Sequence, residues 1–171
     1  HSHLQVIATP AIPANLAIER KIAERFYREN GNSVAEETAR WELTQGSRII
    51  EPGENSALVY CPFASRFSYQ TTIIPWPPQN TFAASPPETI AAAGAAFARS
   101  LRRIKNLLDD PPLNAFFHIE TRPEAGESAS AHCWRIEVIP RLTILAGLEL
   151  GGGMHINEVL PERAAEELRA A

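Results

Sequence analysis

Cysteine is scarce. The 171 residues hold two, Cys61 and Cys133, far apart and forming no Cys-x-x-Cys. That excludes a disulfide framework and a cysteine-built zinc site. No apolar run approaches the roughly 18 residues that a membrane-crossing helix requires, and no signal peptide is visible. Basic charge is in deficit: 16 Lys and Arg stand against 20 Asp and Glu, for a net charge of −4. Bulk nucleic-acid binding is disfavoured by that balance. The one basic cluster, in "ARSLRRIKN", reads as a solvated helix face rather than a phosphate track. The expectation is a cytoplasmic protein that engages neither nucleic acid nor membrane. The first residue is not Met, so the chain reads as processed, tagged or a fragment.

Apolar residues make up 44% and charged residues 21%, ordinary for one globular domain with a sizeable core and at most a short annex. No internal repeat, low-complexity segment or linker divides it. The chain opens "HSHLQVIATP". A polyhistidine tag leaves clustered histidines and then a linker, whereas this motif runs straight into an apolar, strand-like Val6-Ile7-Ala8. Strand alternation places His1, His3 and Gln5 on one face and Leu4, Val6 and Ala8 on the other. His-x-His by itself fits two exposed histidines as well as chemistry.

A helix is predicted over Asn15 to Glu29, stopped by Asn30-Gly31, with Glu19, Ile22 and Phe26 along its inward stripe. A second covers Ala35 to Thr44. Strands follow in "SRIIEP", "SALVYCPF" and "SYQTTIIPW". The longest helix spans Pro87 to Leu108, with Ser85 as N-cap, Glu88 as its acidic partner, and a stripe of Ile90, Gly94, Phe97, Leu101, Ile104 and Leu108. "NAFFHIE" and "AHCWRIEVIPRL" supply two more strands, and a terminal helix begins near Pro161. Strands and helices without regular βαβ alternation indicate an α+β fold.

Three stretches, "HSHLQVIA", "CPFASRFSYQTTIIP" and "WRIEVIPRLTILAGLELGGGMHINEVLPERAAEELR", together resemble the galactose-1-phosphate uridylyltransferase family of the histidine-triad superfamily. The resemblance implies a histidine-triad-like antiparallel sheet packed with helices. Residues 1–13 would be the catalytic-motif strand closing a first repeat that is absent here, and 14–171 a second repeat. In "HSHLQ" it makes His3 the nucleophile and Gln5 the phosphate-positioning residue. A neutral imidazole attacks the α-phosphorus of a nucleotide sugar, and the phosphoramidate then delivers the nucleotidyl group to an acceptor. His1 falls where many members ligate zinc, with companion ligands in the absent half, so zinc is expected only in a complete protein. A homodimer, a nucleotide sugar and a sugar phosphate are the implied partners.

The chain also departs from the family pattern. A second metal site in some members uses one glutamate and three histidines. Glu19, 16 residues after His3, and His118 match two of these, but Cys133 and Arg135 replace the remaining His-x-His. Guanidinium offers no lone pair to a metal. The residues suggest instead that Arg135 supplies a fixed charge there and pairs bidentately with Glu19. Cys133, Arg135 and Glu137 would share one strand face, opposite Trp134, Ile136 and Val138. The competing reading is a solvent-facing arginine on an edge strand. Glu149 matches the carboxylate that binds sugar hydroxyls, but Thr143 and Leu148 replace a lysine and an aromatic, which puts galactose 1-phosphate specificity in question. His132 reads as packed on the Trp134 face, His155 as a surface histidine, Cys61 as core, and the glycines at 151–153 as a turn.

Three functions remain in play. The first is a transferase moving UMP from a UDP-hexose to a hexose 1-phosphate through His3. The second is a non-catalytic nucleotide- or sugar-phosphate-binding module. The third is a nucleotide-sugar phosphorylase or hydrolase, with phosphate or water as acceptor.

Overall fold

The computed structural model describes residue 5, residues 10–54, 56–119 and 128–171. Five strands build its centre: β1 (Ile49–Pro52), β2 (Ala57–Tyr60), β3 (Thr71–Pro75), β4 (Leu113–His118) and β5 (Arg135–Pro140). They lie in the order β1-β2-β3-β5-β4, and every neighbouring pair is antiparallel. The fold is therefore α+β. Strand β5 runs between β3 and β4, so Arg135 is on an inner strand and not at an edge.

Alternation gives the sheet two different faces. One carries Val59, Ile73, Trp134, Ile136 and Val138 against α3 (Pro87–Leu108) and α5 (Pro161–Ala170). Ala93 and Ala96 of α3 and Ala164 and Ala165 of α5 are fully buried, and their small side chains let both helices close on the sheet. This is the main core, where each large side chain removed from water contributes roughly 1.5–3 kcal/mol. Trp134 is 1% exposed and donates its indole N–H to Ser85 Oγ at 2.8 Å.

That bond corrects two details of the sequence reading. Ser85 does not cap α3: the N-cap is Pro86 without a side-chain bond, and the Ser85 hydroxyl donates to the Thr81 carbonyl. The buried line of α3 is Ala93, Ala96, Ser100 and Ile104, and Gly94 is exposed. Small residues, not the largest ones, mark where the helix meets the sheet. The basic cluster is also not wholly solvated, since Arg99 and Arg103 both bind Glu51 of β1.

The opposite face carries Leu58, Tyr60, Ile74 and Cys133 and is covered by α2 (Val34–Gln45) through Ala39. Ser33 caps α2 by accepting from the Glu36 amide. Helix α1 (Ala14–Asn30) crosses this side differently. Its buried residues are Arg20 and Glu24, while Leu16, Ile18 and Ile22 stay exposed. The stripe predicted from Glu19, Ile22 and Phe26 is thus wrong in its apolar members, Ile22 being exposed and Phe26 half-buried: α1 is fastened by charged groups, Glu19 among them.

Between β5 and α5, the segment 141–160 holds a short helix, α4 (Gly147–Gly152), and keeps Leu142, Ile144, Leu145, Leu148, Leu150, Met154, Ile156 and Leu160 exposed. The glycines at 151–153 end α4 rather than form a separate turn, with Gly153 in the left-handed region. No described helix is long and apolar enough to cross a membrane.

Candidate functional site

The register of β4 against β5 places His118 opposite Arg135, and Phe116 opposite Glu137. Period two then puts Arg135 and Glu137 on the face that α1 and α2 cover, with Cys133 packed beside them. The face assignment made from the sequence holds.

Arg135 sits at the centre of this cluster. Its two terminal nitrogens meet Glu19 of α1, Nη1 to Oε1 at 2.7 Å and Nη2 to Oε2 at 3.1 Å. Its Nε donates to Glu137 Oε1 at 2.9 Å. The pair with Glu19 is the fork-to-carboxylate arrangement that fixes a guanidinium in plane as well as in position. His118 Nε2 lies 3.4 Å from Glu137 Oε1, and Gln70 Nε2 donates to the other carboxylate oxygen at 3.4 Å. Burial of Glu137 alone would raise its pKa. The His118 hydrogen bond and the Arg135 charge outweigh that and hold the carboxyl down at about 2. Burial works against the charge on Arg135, but Glu19 and Glu137 keep its pKa raised.

This donor set does not suit a metal ion. A guanidinium with no lone pair occupies the centre, and Glu19 spends both oxygens on it. Burial pushes the Cys133 thiol up to about 11, and its hydrogen bond goes to the Trp134 carbonyl. Among the described residues no group of three or more His, Cys, Asp or Glu is arranged to hold a metal.

A cavity of about 820 Å³ opens beside the cluster, between α1, α2 and the sheet. Ile12, Leu16, Ile22, Val34 and Ile74 give it apolar walls, and Glu19, His118, Cys133 and Arg135 line it too. A second side-chain pair, His132 with Glu24, was not anticipated, and its histidine lines the same cavity. His132 Nε2 lies 3.1 Å from Glu24 Oε1, and the Glu24 carboxylate accepts the Ser128 amide. His132 is buried, as predicted for a packed residue, but it faces α1 and the cavity rather than the Trp134 side. No local signal could have joined residues 108 apart in the chain.

The remaining candidates are spread out. His1 and His3 lie outside the described residues, and Gln5 is exposed and outside any element. Glu149 turns its carboxylate back to accept the Ala146 amide at the start of α4. Its pKa is lowered by backbone amides of its own helix turn, its own N–H first. Thr143 and Leu148 are exposed. His155 stacks edge-on to Phe67 with ring centroids 5.0 Å apart, and Cys61 is fully buried in the core.

The sheet order and the helices on both its faces define an α+β domain, a fold it shares with solved histidine-triad proteins. A HIT-like protein from Bartonella henselae superposes with a TM-score of 0.52 at 15% identity, over 75% of this chain and 91% of that one. A solved uridylyltransferase matches more fully, with a TM-score of 0.82 at 19% identity, over 94% of this chain and 51% of that one. In sequence, the chain is 26% identical over 169 residues to ADP-glucose phosphorylase from Arabidopsis thaliana, spanning 99% of this chain and 46% of that protein. The chain is thus similar in sequence to ADP-glucose phosphorylase and similar in fold to solved uridylyltransferase and histidine-triad structures. The chain spans about half the length of the phosphorylase and of the uridylyltransferase. No family model matches it.

Proposed function

We propose that these residues serve covalent nucleotidyl transfer from a nucleotide sugar, with His3 as nucleophile and Gln5 positioning the phosphate. One observation carries the reading: the chain opens on His-Ser-His-Leu-Gln and aligns over nearly its whole length with ADP-glucose phosphorylase. His3 would attack the α-phosphorus and form a P–N bond. The bond from that phosphorus to the oxygen bridging to the β-phosphate breaks, and the electron pair leaves with the sugar 1-phosphate. An acceptor oxygen then attacks the same phosphorus and frees the imidazole. Splitting the transfer into two displacements at one histidine is ordinary nucleophilic catalysis.

The reading favours inorganic phosphate as acceptor, so that a nucleotide sugar gives a nucleoside diphosphate and a sugar 1-phosphate. The kinship with a phosphorylase supports this, as does the exchange of the family's lysine and aromatic for Thr143 and Leu148. A second reading, UMP transfer from a UDP-hexose to a hexose 1-phosphate, is supported by the likeness to a uridylyltransferase structure. Both readings share the first half-reaction. The Arg135 cluster would hold α1 to the sheet and take no part in the chemistry.

Intact-mass spectrometry of the protein after incubation with ADP-glucose or UDP-glucose tests the shared step. The expected result is a gain of one nucleoside monophosphate, absent in His3→Ala and discharged by phosphate. Discharge by galactose 1-phosphate alone would select the transferase. A folded protein that forms no adduct with either donor would refute both and favour the non-catalytic binding module.

A further inference from the structure

We propose that the cavity between α1, α2 and the sheet is a binding site for an amphiphilic carboxylic acid, its carboxylate taking the place of Glu19 on Arg135. None of the residues that line it has a part in the His3 chemistry proposed above. Its volume of about 820 Å³ lies within the range of sites that enclose a small organic ligand. The walls are largely apolar along α1 and α2, and two arginines, Arg135 and the buried Arg20, also line the space. That division matches a molecule with an apolar body and one anionic head.

The head group is specified by what Arg135 already binds. Its Nη1 and Nη2 edge meets a single partner in bidentate fashion, and that partner is a carboxylate. The guanidinium is held from behind through Nε by Glu137, so the fork stays oriented when the front partner leaves. Glu19 is a replaceable partner: its side chain is 49% exposed, against 22% for Arg135 and 11% for Glu137. Rotating Glu19 out to water exchanges one carboxylate for another and leaves the charge around Arg135 unchanged. His132, also on the cavity wall, is already bonded to Glu24, whose carboxylate accepts the Ser128 amide as well. Seating the apolar body removes exposed Leu16 and Ile22 from water, a gain that Glu19 alone cannot provide.

The probe pair is decanoate and decan-1-ol, titrated calorimetrically into the whole protein, with the Arg135 Nε resonance followed by NMR. Decanoate is expected to bind at least about tenfold more tightly than the alcohol, a ratio equal to about 1.4 kcal/mol. Decanoate should also shift the Arg135 resonance. Glu19→Gln removes the competing carboxylate, so decanoate affinity should rise about tenfold while decanol affinity stays constant. Because Glu19 is half exposed, this variant tests the idea even where Arg135→Met fails to fold. Equal binding of acid and alcohol would overturn the proposal. So would an unchanged affinity in Glu19→Gln, or no binding of decanoate to the folded protein.

Discussion

Replacing Arg135 with methionine should unfold the protein far more readily than any change to Glu19, although both remove the same ion pair. Arg135 is the more enclosed partner of the Glu19 pair, with 22% side-chain exposure against 49%, and its loss leaves Glu137 as a carboxylate with 11% side-chain exposure. Its remaining contacts are His118 and Gln70, each at 3.4 Å. Breaking a buried pair from one side costs about 3–5 kcal/mol. Glu19→Gln leaves an amide oxygen that still accepts from Arg135, at a position half open to water, so its cost should stay below about 1 kcal/mol. The double variant Arg135→Met/Glu137→Leu removes both buried charges and should regain about 2 kcal/mol or more over Arg135→Met.

Acid supplies a second axis for the same experiment. The folded pKa of Glu137, about 2, lies below its ordinary value of 4.5. A depressed carboxylate stabilises the fold above its unfolded pKa, and that stability disappears as pH falls through the folded one. The contribution is about 3 kcal/mol near neutrality and is lost between about pH 4.5 and pH 2. Arg135→Met forfeits much of it at the outset. The gap between wild type and variant should therefore narrow as the pH falls through that window. Urea unfolding followed by circular dichroism at pH 7, 5 and 3 measures both effects. A loss under about 1 kcal/mol in Arg135→Met, or a gap that stays constant from pH 7 to 3, would refute this account of the cluster.

Three other substitutions probe the frame around the cluster. Gly53 has φ of +89°, and an added Cβ would lie 2.8 Å from Trp76 Cδ1, so Gly53→Ala should cost about 2 kcal/mol in urea unfolding. Trp134→Phe removes the donor to Ser85 and part of a buried ring, and should lower stability by about 2 kcal/mol in the same assay. Glu24→Leu strips the Ser128 amide and His132 of their shared acceptor, at a cost of about 2 kcal/mol. Faster hydrogen exchange at the Ser128 amide would locate that loss.

The sheet was readable in the sequence because period two and β-branched residues dominate "ALVY", "TTIIP" and "RIEVIP". The long helix was equally clear from its start at Pro87 and its end before two consecutive prolines. Alternation also separated Arg135 and Glu137 from Trp134 and Ile136, and the exchange of histidine for arginine pointed to Glu19. Helix α1 was misread because hydropathy presumes that apolar side chains face the core. There Leu16 and Ile22 line a cavity, while Arg20 and Glu24 do the anchoring. Ser85 was misassigned because an N-cap and a tertiary acceptor carry the same local signature, and the partner that decides, Trp134, is 49 residues away. The His132–Glu24 pair depends wholly on long-range packing and left no trace in the linear pattern.

The segment 141–160 is a loop whose two ends are already fixed. On one side β5 ends at Pro140 within the sheet. On the other, α5 begins at the buried Pro161 and is clamped by Arg48 to Glu162 at 2.6 Å. Shortly before that end, Asn157 accepts from Ser68 and donates to the Ser65 carbonyl. The entropy of bringing the ends together has been met by folding itself. A free tail carrying Ile144, Leu150 and Met154 would lose that freedom only on contact with another surface. Here the contact costs only the residual ordering of a tethered span, so the same apolar area yields a larger net gain when it is covered.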